Sequence, residues 1–536
     1  MGEDEVLVVG AGASGAALAW RLASAGIKVT CLEQGDAVTY DDVPTLAADW
    51  ELARETTHHA NPNIRRRPED YPVVDADSPI KPLMFNGVGG STVLWGAHVP
   101  RFRPSDFRVR SLDGVADDWP LSYQDLAPYY DLNDRIVGVA GLAGDPGNPP
   151  RPARAMPPIA PGRAAELLGG AFDRLGWHWW VVDAAINTQP YGRGRGVCNH
   201  CGPCNLGCPQ KARASADVTY WPLAVEAGAR LVTRARVFEI ETDALGRATG
   251  VAYYDADGIA RRRHATVVVL AANGIGTPRL LLLSRSGKHP DGLANRSGLV
   301  GRRLMFHPTA MVTGVFAERV DGHLGPIGAS ILCQEFYETD PSRDFVRGYQ
   351  MQLLRSYGPL GTATGGFLPP LPWGDRHHRR FLDTFGHSAS LTVTTEDLPG
   401  DENRVTLDAS LTDGSGIPAP RIEYRLERNT EAMIAHGIER ASEAFRAAGA
   451  TDVVVQPLVA QAGFHLMGTT RMGDDPETSI VDRFGRAHHV DNLFVVDGSL
   501  FVTAAAVNPT PTIQALALRA ADHIVATRRE AGRIAA

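Results

Sequence analysis

Residues Glu5-Val6-Leu7-Val8-Val9 form a short, almost wholly apolar run, the pattern of a strand buried on both faces of a parallel sheet. The run passes directly into Gly10-Ala11-Gly12-Ala13-Ser14-Gly15 and then into an Ala- and Leu-rich stretch, 16–25, that reads as a helix. Gly26 stops that helix, and a second apolar run, 27–32, ends at Glu33. Strand, Gly-x-Gly-x-x-Gly, helix, strand and acid follow one another here as in a dinucleotide-binding unit. After an irregular, polar stretch to Pro82, Ser122 to Val137 reads as a helix with Ser122 at its N-cap. Strands return at 231–240, 248–254 and 264–270, the last leading through small residues to a helix that starts at Thr277-Pro278. Residues 311–460 alternate short strands with loops, broken by an amphipathic helix over 429–448. Near the end a strand closes at Asp497-Gly498, and a helix begins around Pro511.

Each part of the N-terminal unit has a physical task. Gly10 permits the tight turn, Gly12 admits a pyrophosphate close to the backbone, and Gly15 lets the helix pack onto the strand. The helix N-terminus at Ala13 and Ser14 offers free N–H groups and a partial positive charge to phosphates. Glu33 stands where a carboxylate accepts hydrogen bonds from a ribose hydroxyl. The motif by itself does not separate FAD from NAD.

At 536 residues the chain is long for one hydrophobic core, which predicts two domains or one large discontinuous unit. Its 44% hydrophobic and 21% charged residues are those of an ordinary globular protein, and 56 Gly and 37 Pro predict many loops. A net charge of −8 without a basic stripe argues against nucleic acid as a partner. No run approaches the length of a membrane span, and the chain opens on its first strand without a charged leader, so a cytoplasmic location is expected.

Four further stretches carry candidate chemistry. In Gly87-Val88-Gly89-Gly90-Ser91-Thr92-Val93-Leu94-Trp95 the glycines let backbone approach a ligand closely, and Ser91 and Thr92 add hydroxyls. Cys198, Cys201, Cys204 and Cys208 have a spacing that suits an iron–sulfur cluster or zinc. Trp177-His178-Trp179-Trp180 is either a sugar-stacking surface or core packing. His465, flanked by apolar residues, has the ordinary pKa of a general base, and Asn508-Pro509 precedes the last helix, whose N-terminus can stabilise negative charge.

Taken together, these ordered segments resemble the glucose–methanol–choline family of FAD-dependent oxidoreductases, most closely its bacterial sugar- and glycoside-oxidising branches. The resemblance implies an α/β fold in which a Rossmann-like FAD-binding domain (1–100, 191–310 and 462–536) is interrupted by a substrate-binding domain on an antiparallel sheet (101–190 and 311–461). It implies FAD contacts at Gly10, Gly12, Ala13, Ser14, Gly15, Glu33, Gly89, Gly90, Ser91, Thr92, Trp95, Val237, Ala272, Asp497, Gly498, Asn508 and Thr510. Some members bond flavin covalently through a His directly before the Trp; Leu94 stands there, so a dissociable FAD is expected. Arg285 replaces a glycine usual in the second signature, at a helix end. The motifs around His465 and Asn508 resemble those of the family's base and its partner beside flavin N5. The implied reaction is oxidation of the CH–OH group of a sugar, glycoside or polyol, with oxygen or another electron acceptor as second substrate.

A sterol or long-chain alcohol is the alternative substrate. A hydroxynitrile-lyase-like relative and an iron–sulfur electron-transfer subunit are the readings from other classes. Many bacterial members carry a related Cys-rich turn, usually without an assigned metal, so no metal is favoured at Cys198–Cys208. His307, in Phe306-His307-Pro308, is expected to be structural. Thr395–Pro399 and Asn403–Leu407 are expected at the edge of the substrate-binding sheet, and oligomeric state is left open.

Overall fold

The computed structural model describes residues 4–328, 330–355, 358–365 and 370–534. It is a mixed α/β structure built on three sheets. The first contains β1 (Asp4–Val9), β2 (Val29–Leu32), β5 (Arg230–Val232), β6 (Arg236–Thr242), β7 (Ala248–Tyr254), β8 (Ala260–Leu270) and β16 (Leu493–Val495). Its order is β5-β2-β1-β8, all parallel, and β8 divides its free edge. Residues 268–270 pair in parallel with β16, whereas residues 260–264 pair antiparallel with β7 of the β6–β7 hairpin. Val6 to Val9 are all buried, as a strand covered on both faces requires.

The helix Ala13–Ser24 packs its alanine-rich face against the last helix, Thr510–Ile534. A Cβ at Gly15 would lie 2.0 Å from the Gly10 carbonyl oxygen, so the helix sits on its own turn at a distance only glycine allows.

The run expected as one strand over 231–240 is two. Arg234, at φ +52°, turns the chain out of parallel pairing with β2 and into the antiparallel hairpin. The helix expected to start at Thr277-Pro278 begins earlier, as Asn273–Leu283. Pro278 therefore lies inside it and cannot donate to the Gly274 carbonyl, which accepts the Thr469 hydroxyl at 2.8 Å instead. Asp497 caps this helix from across the sheet, accepting Asn273 N–H at 3.1 Å and the Thr277 hydroxyl at 2.6 Å. Ser122 does precede a helix, Tyr123–Val137, with its N–H donated to Asp125 at 2.7 Å. That helix packs against Thr510–Ile534.

The second sheet has the order β15-β9-β12-β11-β10-β4, all antiparallel, from β4 (Trp179–Val181), β9 (Thr309–Val315), β10 (Ile331–Cys333), β11 (Tyr349–Leu354), β12 (Ser388–Thr395) and β15 (Asp452–Gln456). Alternation along its central strands is clean although both faces are buried. Ala310, Val312, Tyr349, Met351, Leu353, Leu391 and Val393 pack with the helices Arg163–Leu175 and Arg428–Ala447. Thr309, Met311, Gln352, Leu354, Thr392 and Thr394 face the other way, into a cavity.

The third sheet, β3 (Val74–Asp77), β13 (Arg404–Thr412) and β14 (Pro418–Glu423), corrects the expectation for the substrate sheet's edge. Asn403–Leu407 leads into this separate sheet, and Thr395 ends β12, which is paired on both sides.

Among the described residues no helix is long and apolar enough to cross a membrane.

Candidate active site

One continuous cavity of about 400 Å³ is lined from both large sheets. It brings together Gly10, Gly12, Ala13, Ser14, Glu33, Gly90, Ser91, Thr92, Trp95, Val237, Ala272, His465, Asp497, Gly498, Asn508 and Thr510 from eight separate stretches of chain. Gly15 and Gly89, expected among them, do not line it. Gly15 is spent on the helix–strand contact, and Gly89 packs against Asp217 and Val93.

Part of the cavity's lining has the chemistry of a dinucleotide cradle. Gly12 is the N-cap of the first helix and no side chain caps it, so the amides of its first turn are free for an anion. Gly90, at φ +53°, approaches so closely that a Cβ there would lie 2.8 Å from the Gly12 Cα. Glu33 is 5% exposed, each oxygen accepting one backbone N–H, from Gly35 and from Ala11, and each keeping a lone pair for a ribose hydroxyl. These residues fit FAD. Replacing Gly90 by Val would force the two glycine turns apart. The expected cost is about 1–3 kcal/mol, read as a Kd for FAD raised roughly ten- to hundredfold in a fluorescence titration of the apoprotein. An unchanged Kd would show that this close approach does not shape the cradle.

The turn over 92–95 is held from beneath. Arg213, 1% exposed, donates to the carbonyls of Thr92 at 2.7 Å and Trp95 at 3.0 Å. Arg213 follows the cysteine-rich run, and Asn205, inside that run, lines the cavity. Cys198, Cys201, Cys204 and Cys208 surround a void of about 20 Å³. Burial pushes the thiols of Cys201 and Cys204 up to about 11, which keeps them protonated near neutrality. Among the described residues no group of three or more His, Cys, Asp or Glu is arranged to hold a metal ion. The aromatic run 177–180 does not face the main cavity: Trp179 and Trp180 belong to β4, and Trp177 packs edge-on to Phe336 at 5.0 Å.

His465 and Asn508 line the same cavity. His465 is followed by Leu466, whose carbonyl oxygen would lie 2.4 Å from a Cβ at Gly274, so the helix Asn273–Leu283 fixes the segment bearing the histidine. Burial lowers the His465 imidazole well below its ordinary pKa, leaving it neutral and able to accept a proton. His307, expected to be structural, is a site residue: its ring lines the cavity and its Nδ1 lies 2.7 Å from His465 Nδ1. Gln350, fully buried, donates from Nε2 to Asn508 Oδ1 at 3.3 Å, which leaves the asparagine's own N–H groups for other acceptors.

Sequence reasoning also missed His98, Gln352 and the threonines of β9 and β12. Polar residues at alternate positions in fully buried strands were the available signal, since such residues need partners.

Family models described as GMC oxidoreductase match residues 166–309 and 399–517, and one described as NAD(P)-binding Rossmann-like domain matches 8–66. The chain is 44% identical over 534 residues to 2-methyl-1,2-propanediol dehydrogenase of Mycolicibacterium austroafricanum, covering 97% of this chain and 95% of that one. It is 30% identical over 547 residues to the fructose dehydrogenase large subunit of Gluconobacter japonicus, covering 97% of each. Pyridoxine 4-oxidase from Mesorbium loti shares the fold, with a TM-score of 0.65 at 16% identity over 97% of this chain and 99% of that one. With an uncapped helix N-terminus, a glycine cradle and a neutral histidine lining one cavity, the protein belongs to the GMC oxidoreductase family and is an FAD-dependent oxidoreductase of alcohols.

Proposed function

We propose that the protein oxidises a CH–OH group of a small uncharged polyol or sugar, with His465 as general base, Asn508 as the residue that holds the substrate oxygen, and FAD bound without a covalent link. The observation that carries this reading is the chemistry of the wall that the antiparallel sheet presents to the cavity. The strands β9, β11 and β12 present Thr309, Met311, Gln352, Leu354, Thr392 and Thr394 to the cavity, a mixture of hydroxyl, amide and aliphatic groups with no charge. Glu33, Arg279 and Asp497, the lining residues with ordinary ionic side chains, come from the parallel-sheet side, and Asp497 is occupied as a helix cap. The histidines of the cavity add no charge near neutrality, since burial pulls His98 to about 3 and His307 to about 4, and lowers His465 as well. Such a wall hydrogen-bonds neutral hydroxyls and offers no counter-ion to a carboxylate or ammonium group. The names of the diol and fructose dehydrogenase relatives agree with this class.

In this reaction His465 accepts the hydroxyl proton. Asn508, oriented by Gln350, donates an N–H to the same oxygen as negative charge gathers there. Bound FAD supplies the two-electron acceptor for the carbon-bound hydrogen. Leu94 lines the cavity with an aliphatic side chain that has no atom able to bond the flavin, so acid precipitation is expected to release all of it into the supernatant.

The test is anaerobic flavin absorbance on adding 2-methyl-1,2-propanediol, fructose, gluconate or a long-chain alcohol. Bleaching by the neutral polyols and not by gluconate is expected. Bleaching confined to the long-chain alcohol would replace this substrate class with the more apolar one. Recovery on admitting air separates an oxidase from a dehydrogenase.

A further inference from the structure

The two imidazoles that meet in the cavity have one consistent arrangement of protons. His307 Nε2 lies 2.9 Å from the Ala505 carbonyl oxygen and 3.2 Å from that of Ala504. A carbonyl oxygen only accepts, so this nitrogen carries hydrogen. His307 is 1% exposed, and the same burial that pulls its pKa to about 4 keeps the ring neutral near pH 7. Its Nδ1 therefore presents a lone pair, 2.7 Å from Nδ1 of His465. Two lone pairs at that separation would repel, so the hydrogen between them belongs to His465.

We propose that His307 is a positioning residue that holds His465 in the Nδ1–H tautomer and so makes Nε2 the atom that takes the substrate's hydroxyl proton. The proposal rests on His465 being the base. Its physical content is twofold. The hydrogen bond fixes both the tautomer and the plane of the His465 ring, the two rings standing at 81° with centroids 4.8 Å apart. Once Nε2 is protonated, Nδ1–H donates from a cation to a neutral acceptor, a stronger bond than before, so the pair favours the state formed during proton transfer.

The far end of the chain links base to substrate holder. Ala504 and Ala505, whose carbonyls anchor His307, precede Asn508 on one loop, and Ala505 adopts φ +54°, a conformation rare for alanine. One loop thereby places both the Asn508 amide and the acceptors that set the tautomer of the base.

The experiment has two arms on the full-length holoenzyme. In the first, long-range ¹H–¹⁵N correlation of ¹⁵N-histidine-labelled protein reads the tautomers, with the His465 signals identified by their loss in His465→Ala. His465 as Nδ1–H and His307 as Nε2–H are expected; His465 as Nε2–H overturns the proposal whatever the variants do. In the second, His307→Leu and His307→Asn are compared in anaerobic flavin reduction by 2-methyl-1,2-propanediol. Leu removes the acceptor, and a loss of about a hundredfold in the reduction rate with little change in half-saturating substrate is expected. Asn can accept at Oδ1 and donate from Nδ2, and should stay within about tenfold of the native rate. A Leu variant as fast as native, or an Asn variant as slow as Leu, overturns the proposal. If His307→Leu does not fold, the tautomer spectrum of the native protein decides. Normal turnover by His465→Ala would remove the general-base reading while leaving the tautomer measurement to judge the His307 contact separately.

Discussion

His465→Ala is expected to retain FAD and to reduce it about a thousandfold more slowly than the native enzyme, within the range lost when a positioned general base is removed. The residue lies outside the glycine turns of the cradle, so the flavin absorbance per protein should not change. His98 and His307 also line that cavity but cannot take over. His307 is committed to Ala504 and Ala505, and His98 Nε2 is paired with Gln352 at 3.2 Å. The measurement is single-turnover flavin bleaching under anaerobic conditions at saturating substrate. A rate within tenfold of native would assign the base elsewhere.

The second large effect concerns stability. Arg347→Met is expected to destabilise the protein by about 3–5 kcal/mol, because it removes the one guanidinium from a buried group of carboxylates. Arg347 is 1% exposed and contacts Asp106, Asp113 at 3.2 Å and Glu396 at 2.7 Å. The Tyr337 hydroxyl donates to Asp106 at 2.8 Å and accepts Ala506 N–H at 3.4 Å, so the group joins the 104–113 segment, β12 and the loop of Asn508. Burial pushes Glu396 up to about 7 from an ordinary 4.5 even beside the guanidinium. A carboxyl whose folded pKa is raised gives stability that is full below 4.5 and fades as pH rises through 7. Without Arg347 the acids shift further up, so the deficit should be larger at pH 8 than at pH 5, and Glu396→Gln should restore part of it. Thermal melts of the single and double variants across that range check the sign. A variant as stable as native at pH 8 would show that the cluster sheds its charge without Arg347.

What could be read along the chain was whatever local sequence dictates. The N-terminal unit folds as its pattern predicts, with Val6 opposite Val29 in register and the helix Ala13–Ser24 between them. Apolar runs, glycine turns and helix periodicity act within a few residues of one another. The helix Arg428–Ala447 lies within one residue of its expected bounds for the same reason.

The departures at Asn273 and at Asn403–Leu407 depend on distant partners. The helix at Asn273 starts early because Asp497 caps it and Thr469 satisfies the carbonyl that Pro278 cannot. Asn403–Leu407 leaves the substrate sheet because β13 finds β14 and β3. The sequence by itself thus determined the dinucleotide-binding unit and the α/β class, because these rest on short motifs whose chemistry is carried by the residues themselves; the resemblance supplied the pairing of His465 with Asn508, and the fold brings both to one cavity. Only the tertiary structure decided that His307 belongs with His465, that Gln350 orients Asn508, and that the antiparallel sheet's wall of the cavity is uncharged. Each of those depends on strands far apart in sequence turning their polar faces toward one cavity, and period-two alternation states which residues share a face without stating what that face will meet.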